Sequence, residues 1–322
     1  MSNNLKFTIM TEPLDAKERV REGVKCIAGR HREYGGHSTV TRGLIEGLKK
    51  MGYKDFNYRP SEKDIYDTVH VLGGVRTLKY AIKLKKCGRI KHLSAGPNIV
   101  VFSTDYNSIV ADKCVDLFIT PSKWVSDDYV MREPSLKGRM AEWPVGVDMD
   151  RFKPSTPKGQ RNGKKVLIYH KDESDQFCWH LDHCLKKRGY ETSIIKYGSY
   201  TLDQYISLLN EMLFMVTLTG KESQGIYLPE AWSMDVPTIC FDRGYYRWPG
   251  TDIDIEGDIT SCPYISKENG VRFREIQEFE HILDTWDDLE KGMQPRKWCT
   301  ENMSDVICAE QFVNMLNDRF GD

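Results

Sequence analysis

The sequence predicts an α/β protein built as two Rossmann-like, doubly wound parallel-sheet domains. Three observations carry that prediction. Apolar, β-prone runs alternate with amphipathic helical runs along most of the chain, the pattern of parallel strands joined by right-handed crossovers. The pattern is interrupted once, at the Pro-, Gly- and polar-rich run 152–163, and then restarts. The length, 322 residues, suits two domains of about 150 each. The expected division is 1–151, 152–298 and a C-terminal helix over 299–322 that crosses back to the first domain.

The elements are expected in this order. Lys6–Met10 is a short apolar strand. Gly35-Gly36 opens a helix through Lys50, with Val40, Leu44, Ile45 and Leu48 on one face. Thr68–Leu72 is a strand, followed by Gly73-Gly74 and a helix. Asp116–Thr120 is a buried strand, Lys123 to Met131 a helix and Arg139–Val145 the last strand of the first half. After the linker come strand Lys165–Tyr169, helix Gln176–Arg188, strand Thr192–Lys196, helix Leu202–Met212 and strand Leu213–Leu218. A helix starting near Gly225 and the strand Thr238–Phe241 complete the pattern, so the second domain reads as short by about one strand–helix unit.

Composition bounds the function. Apolar residues make up 40% and charged residues 29%, ordinary for a soluble domain protein. No apolar stretch reaches the ~18 residues that span a bilayer, and the N-terminus lacks the apolar core of a secretory signal. The nine scattered cysteines point to reduced thiols and a cytoplasmic setting. Residues 1–155 carry 27 Lys and Arg against 19 Asp and Glu, a net of +8, and the remainder 19 against 28, a net of −9. The excess gathers at Lys79, Lys83, Lys85, Lys86, Arg89 and Lys91. This reads either as a solvated helix face or as a patch for an anionic acceptor or weak contact with an anionic membrane surface. No nucleic-acid motif accompanies it. The glycine pairs at 35–36 and 73–74 lack a full Gly-x-Gly-x-x-Gly, against a dinucleotide dehydrogenase, and no nucleophile elbow is present. On the run Cys178-Trp-His180-Leu-Asp-His183-Cys184, His180 and Cys184 fall at i and i+4. No second pair with ligand spacing joins them, so ordinary buried thiols are the expected reading and no metal site.

The most informative run is 221–232, Lys-Glu-Ser-Gln-Gly-Ile-Tyr-Leu-Pro-Glu-Ala-Trp. Pro229 lacks an N–H and fits a helix only in its first turn. Glu222 is thereby expected in the loop above a strand and Glu230 inside the helix. A helix start between them offers N–H groups and positive dipole to an anion. Flanking carboxylates accept hydrogen bonds from vicinal hydroxyls, and the combination suits a sugar nucleotide.

Three stretches resemble the retaining GT-B-fold glycosyltransferases of family-4 type, the glycosyl transferases group 1. Ile119-Thr-Pro-Ser-Lys-Trp-Val125 is similar to that family's strand-Ser-x-x-Val segment. The run 144–154, Pro-Val-Gly-Val-Asp-Met-Asp-Arg-Phe-Lys-Pro, resembles its interdomain signature. The run from Glu222 to Glu230, followed by Val236-Pro237, resembles its carboxylate pair. From Gly35 through Pro237 the likeness spans about two-thirds of the chain. The compact chain is also similar to small virus-encoded members of that family.

The resemblance implies a GT-B fold, two domains facing each other across a cleft, and transfer of a sugar from a nucleotide-diphosphate sugar to a hydroxyl acceptor on a glycan, glycoprotein or lipid-linked carrier. It implies these roles. Glu222 meets hydroxyls of the donor sugar, and Lys171 stands at the family's arginine position beside the diphosphate. Gly225 and Ile226 offer backbone N–H groups to the diphosphate, with Gln224 a further donor-binding residue. Glu230 holds the ribose hydroxyls. Tyr197-Gly198 falls where the base binds, and Gly35-Gly36 lets backbone approach the donor. His37 and Asp105 are expected on the acceptor side. No cofactor beyond the donor substrate, and no metal, is implied. The chain departs from the family where a second lysine follows that arginine position; it is missing here, and Arg243 or Arg247 are the candidates to replace it. Asp235 replaces the glycine before Val-Pro, and Val145 the asparagine of the interdomain signature. The thinned phosphate site keeps two alternatives open: a catalytically weak or inactive nucleotide-sugar-binding protein, and a GT-B-fold nucleotide-sugar epimerase.

Overall fold

The structure, a computed structural model, describes residues 5–12, 36–161, 164–247, 254–255 and 259–321. The chain divides into two compact units, Met1–Gly146 together with Asp305–Asp322, and Val147–Ser304.

The first unit holds a six-stranded parallel sheet of β1 (Phe7–Met10), β2 (Phe56–Tyr58), β3 (Thr68–Gly73), β4 (His92–Asn98), β5 (Leu117–Thr120) and β6 (Met140–Glu142) in the order β2-β1-β3-β4-β5-β6. Every residue of β3 and β5 is buried, as expected for strands covered on both faces. The helices Gly36–Lys50, Val75–Lys86 and Lys123–Arg132 stand at the positions the periodicity predicts. β2 and β4 are not legible in the sequence. β2 is three half-buried residues at the sheet edge, and β4 contains Gly96-Pro97, punctuation that usually ends a strand. Gly96 has φ +113°, and a Cβ there would lie 2.0 Å from the Ile119 carbonyl oxygen of β5, so only glycine lets the strands close.

The tail is two helices rather than the single one expected over 299–322. Pro295–Asn302 belongs to the second unit and Asp305–Phe320 to the first. The chain breaks at Met303 and Ser304 because Val147 pairs with Ser304 there and donates its N–H to the Met303 carbonyl at 2.8 Å. Asp305–Phe320 docks on Gly36–Lys50 so closely that a Cβ on Gly47 would lie 2.2 Å from the Asp305 carbonyl oxygen. Phe312 is its anchor, edge-on to Phe7, His70 and Trp143, and the Trp143 indole N–H donates to the Cys308 carbonyl at 2.7 Å.

His70 lies wholly buried in β3 under Phe312, with Nδ1 3.0 Å from Ser94 Oγ. Burial pushes its pKa down to about 3, against 6.5 for an exposed histidine. Between those values the unfolded chain binds the extra proton, so stability is full above about pH 6.5 and is lost as pH falls toward 3. The expected loss is on the order of 4 kcal/mol. Denaturant unfolding followed from pH 7.5 to 4.5 checks this. His70→Leu is expected to flatten the slope, and an unchanged slope contradicts the assignment.

The second unit holds a five-stranded parallel sheet, β7 (Lys165–His170), β8 (Glu191–Lys196), β9 (Phe214–Leu218), β10 (Thr238–Phe241) and β13 (Gly270–Phe273), in the order β13-β10-β9-β7-β8. A short antiparallel hairpin of β11 (Tyr246–Arg247) and β12 (Asp254–Ile255) intervenes between β10 and β13. β9 and β10 are buried throughout, whereas β8, at the edge, has no buried residue. One apolar cluster, with Leu167, Tyr205, Met215, Trp232 and Cys299, fills one layer of the unit. A second, with Val166, Leu181, Phe214, Phe279 and Trp286, fills another. The unit is not short of a strand–helix pair: β13 and the helix Ile276–Asp284 supply it. They are not legible in the sequence because β13 is four residues long, is separated from β10 by 28 residues, and carries Arg272.

Candidate functional site

The second sheet has its switch point between β7 and β9, where the strand order reverses, and doubly wound sheets bind ligands at the carboxyl ends of the strands flanking such a point. The loop after β7 begins with Lys171 and the loop after β9 contains Glu222. The topology brings the two together: Lys171 Nζ donates to Glu222 Oε1 at 2.6 Å. The Glu222 side chain is 11% exposed and the Lys171 side chain 26%. Burial pulls the Lys171 ammonium down, but the charge of Glu222, with Asp172, outweighs it and its pKa lies above the ordinary value. Burial pushes Glu222 above the usual carboxylate range, more than the Lys171 charge pulls it back.

Both loops are held from below. The Lys171 N–H donates to the Leu218 carbonyl at 3.0 Å, and the Gly220 N–H donates to Asp172 Oδ1 at 2.7 Å, tying the β7 and β9 loops together. Buried His170 bonds the Glu173 carbonyl through Nε2 at 2.6 Å. The Glu222 N–H donates to the Thr260 carbonyl at 3.0 Å. Thr260 is itself fixed by Asp242: Thr260 Oγ1 donates to Asp242 Oδ2 at 2.7 Å, and the Ser261 N–H donates to Oδ1 at 3.0 Å. Asp242, Thr260, Asp172 and Glu173 are support residues the sequence reading missed. The signal for Asp242 is an acidic residue directly after a buried strand, too common to single out.

Gly225 has φ +63°, a left-handed turn that favours glycine, and a Cβ there would lie 3.2 Å from Leu228 Cδ1 and 3.3 Å from Glu222 Cβ. The helix is Tyr227–Ser233, two residues later than the expected start near Gly225, with Ile226 as its N-cap and Pro229 in its first turn. Glu230 lies inside it, half-buried, its N–H donating to the Ile226 carbonyl at 3.2 Å. Gln224 and Tyr227 are buried. Tyr227 stacks on Tyr169 at 4.0 Å and 9°, and the Tyr205 hydroxyl donates to its carbonyl at 2.8 Å. Burial pushes the Tyr200 hydroxyl up to about 12, against the hydrogen bond to Tyr169 that pulls it down. Asp235 has φ +58°, in the left-handed region that aspartate tolerates better than most residues other than glycine.

Tyr197 follows β8, 55% exposed as a residue, with its ring centroid 4.9 Å from Lys171 Nζ, and Gly198 turns the chain with φ +79°. Lys171, Glu222, Gly225, Glu230, Tyr197 and Gly198 all lie on loops or helix starts that follow β7, β8 and β9. In the first unit, Gly36 is the first residue of its helix, while Gly35 and the side chain of His37 lie outside the described residues, as does the side chain of Arg247 in the second unit. Asp105 serves its own loop: Oδ2 accepts the N–H groups of Phe102 at 2.9 Å and Val101 at 3.2 Å.

Much of the basic patch is engaged within the chain. Lys85 pairs with Asp116, Lys86 with Asp112 at 3.2 Å and Lys91 with Asp67 at 2.9 Å, and Arg89 donates to the Ile65 carbonyl at 2.7 Å. Cys178 and Cys184 are buried while His180 and His183 on the same helix are exposed, so the i, i+4 ligand pair does not form. Among the described residues no group of three or more His, Cys, Asp or Glu could hold a metal ion. Nor, among them, is any helix long and apolar enough to cross a membrane.

No protein-family model matches the chain, and no curated protein sequence matches it. Solved structures do. The chain is similar to the lipopolysaccharide outer core galactosyltransferase WaaB, in its apo form, at 14% identity and TM-score 0.60, covering 98% of this chain and 100% of that one. It is similar to Anabaena HepE, solved in complex with UDP and glucose, at 10% identity and TM-score 0.55, covering 97% and 100%. It is similar to sucrose-phosphate synthase from Thermosynechococcus elongatus at 11% identity and TM-score 0.52, covering 98% and 99%. At such identities the likeness establishes the fold: two parallel-sheet α/β domains of the GT-B class.

Proposed function

We propose that the protein is a retaining glycosyltransferase that moves a sugar from a nucleotide-diphosphate sugar to a hydroxyl acceptor. The observation that carries this reading is the Lys171–Glu222 pair at the switch point of the second sheet, a cation for a diphosphate beside a carboxylate for sugar hydroxyls. The left-handed Gly225 turn and Glu230 lie just beyond it. The complex of the similar HepE structure, with UDP and glucose, supports a donor of this chemical class.

In the proposed reaction the acceptor oxygen attacks the anomeric carbon on the face from which the diphosphate leaves. The C1–O bond to the phosphate breaks, the new glycosidic bond forms on the same face, and a leaving phosphate oxygen takes the acceptor proton. The protein supplies position and charge rather than a base or a metal. Lys171 offsets the charge growing on the diphosphate, Glu222 orients the sugar, and Glu230 accepts from the ribose hydroxyls. Gln224, Gly225 and Ile226 lie along the diphosphate, and exposed Tyr197 offers a face to the base. The first unit takes the acceptor, a carbohydrate or lipid-linked hydroxyl. Exposed Lys79 and Lys83 give that unit a weak attraction to an anionic membrane surface.

Glu230→Ala is expected to weaken nucleoside diphosphate binding at least tenfold, about 1.4 kcal/mol, in calorimetric titrations with UDP, GDP and ADP. Unchanged affinity removes Glu230 from the site.

A further inference from the structure

A diphosphate leaving group presents more negative charge than one lysine balances, and Lys171 is the only cation the resemblance supplies. The carboxyl ends of β10, β9 and β7 lie side by side. Past them come Arg243, Gly220 to Glu222, and Lys171 to Glu173. Arg243 belongs to the β10 end, yet its Nη2 meets Glu173 Oε2 on the β7 loop, reaching past the intervening β9 end. On the β9 loop, a Cβ on Gly220 would lie 2.9 Å from the Tyr246 ring and 3.6 Å from Glu173 Oε1. The guanidinium carbon lies 5.3 Å from the Phe241 ring centroid, while the side chain keeps 41% exposure. Arginine held in this way presents a planar fork of donors suited to phosphate oxygens.

We propose that Arg243 is the second cation of the diphosphate site, and that Glu173 holds it there until a diphosphate takes Glu173's place. This rests on the donor-site reading given above. Glu173 is a poor permanent partner. Its side chain is 6% exposed, and burial, reinforced by Asp172, raises its pKa even against Arg243. An incoming diphosphate bridging Lys171 and Arg243 replaces one buried carboxylate contact with contacts to several phosphate oxygens. The lysine missing from the β7 loop is thereby replaced from β10.

Calorimetric titration of the full chain with inorganic pyrophosphate and with UDP, GDP and ADP tests this, with melting curves run on each variant. Arg243→Gln is expected to weaken pyrophosphate and the best-bound nucleotide about tenfold, and Arg243→Lys, which keeps the charge, less than threefold. Glu173→Gln is expected to tighten pyrophosphate about threefold, and to change nothing when Arg243→Gln is already present. The proposal is overturned by unchanged affinity in Arg243→Gln, or by Glu173→Gln weakening binding as much as Arg243→Gln does, the mark of a merely structural pair. If Lys171→Met loses nucleotide while Arg243→Gln does not, the proposal fails and the donor-site reading stands. If the wild type binds none of the four probes, both fall.

Discussion

Glu222→Ala is expected to abolish measurable sugar transfer while leaving affinity for the free nucleoside diphosphate within about threefold. The split follows from where the carboxylate sits. Glu222 is buried at the switch point, anchored through its N–H to Thr260 and through its side chain to Lys171. In the proposed complex this carboxylate meets the sugar hydroxyls rather than the nucleotide. Removing it deprives the sugar of orientation, which acts on turnover. It also releases Lys171 from its partner, which leaves the diphosphate no worse held. Steady-state transfer and calorimetry on the same preparation read the two effects separately. A fully active Glu222→Ala would end the assignment.

Lys171→Met is expected to lower both. Loss of the ammonium removes charge stabilisation of the leaving diphosphate, an effect of about 10²–10³ in kcat for one such group. It also removes the nearby positive charge that pulls the Glu222 carboxyl down against the effect of burial. Lys171→Arg, which restores the charge, is expected to recover most of the loss. Equal kcat in Lys171→Met and wild type would remove the lysine from the reaction.

The parts of the molecule legible in the sequence are those whose physics is local. Phe214–Leu218 and Thr238–Phe241 read as strands because a strand buried on both faces is apolar without interruption. Pro229 and Gly225 fixed the turn between the two glutamates because each residue type restricts the backbone at its own position. The strands that were not legible lack such a signature. β4 ends in Gly-Pro-Asn, and β13 carries an arginine in four residues. In the site, Lys171 and Glu222 were visible one at a time, but their 2.6 Å contact depends on β7 and β9 lying side by side across 51 residues of sequence. The support is longer-range still: Asp242 reaches Glu222 only through Thr260, and Arg243 reaches Glu173 across 70 residues. Such contacts are properties of strand order, not of neighbouring residues.

The central claim is that the second unit binds and activates a nucleotide-diphosphate sugar. Incubation of the full chain with UDP-, GDP- and ADP-sugars, following release of nucleoside diphosphate and of sugar, tests it most directly. The expected result is turnover of sugars on one of the three bases, lost in Lys171→Met and Glu222→Ala. Binding without release or transfer of any sugar would make the protein a nucleotide-sugar binder rather than a transferase, and failure to bind any of the three would contradict the claim outright.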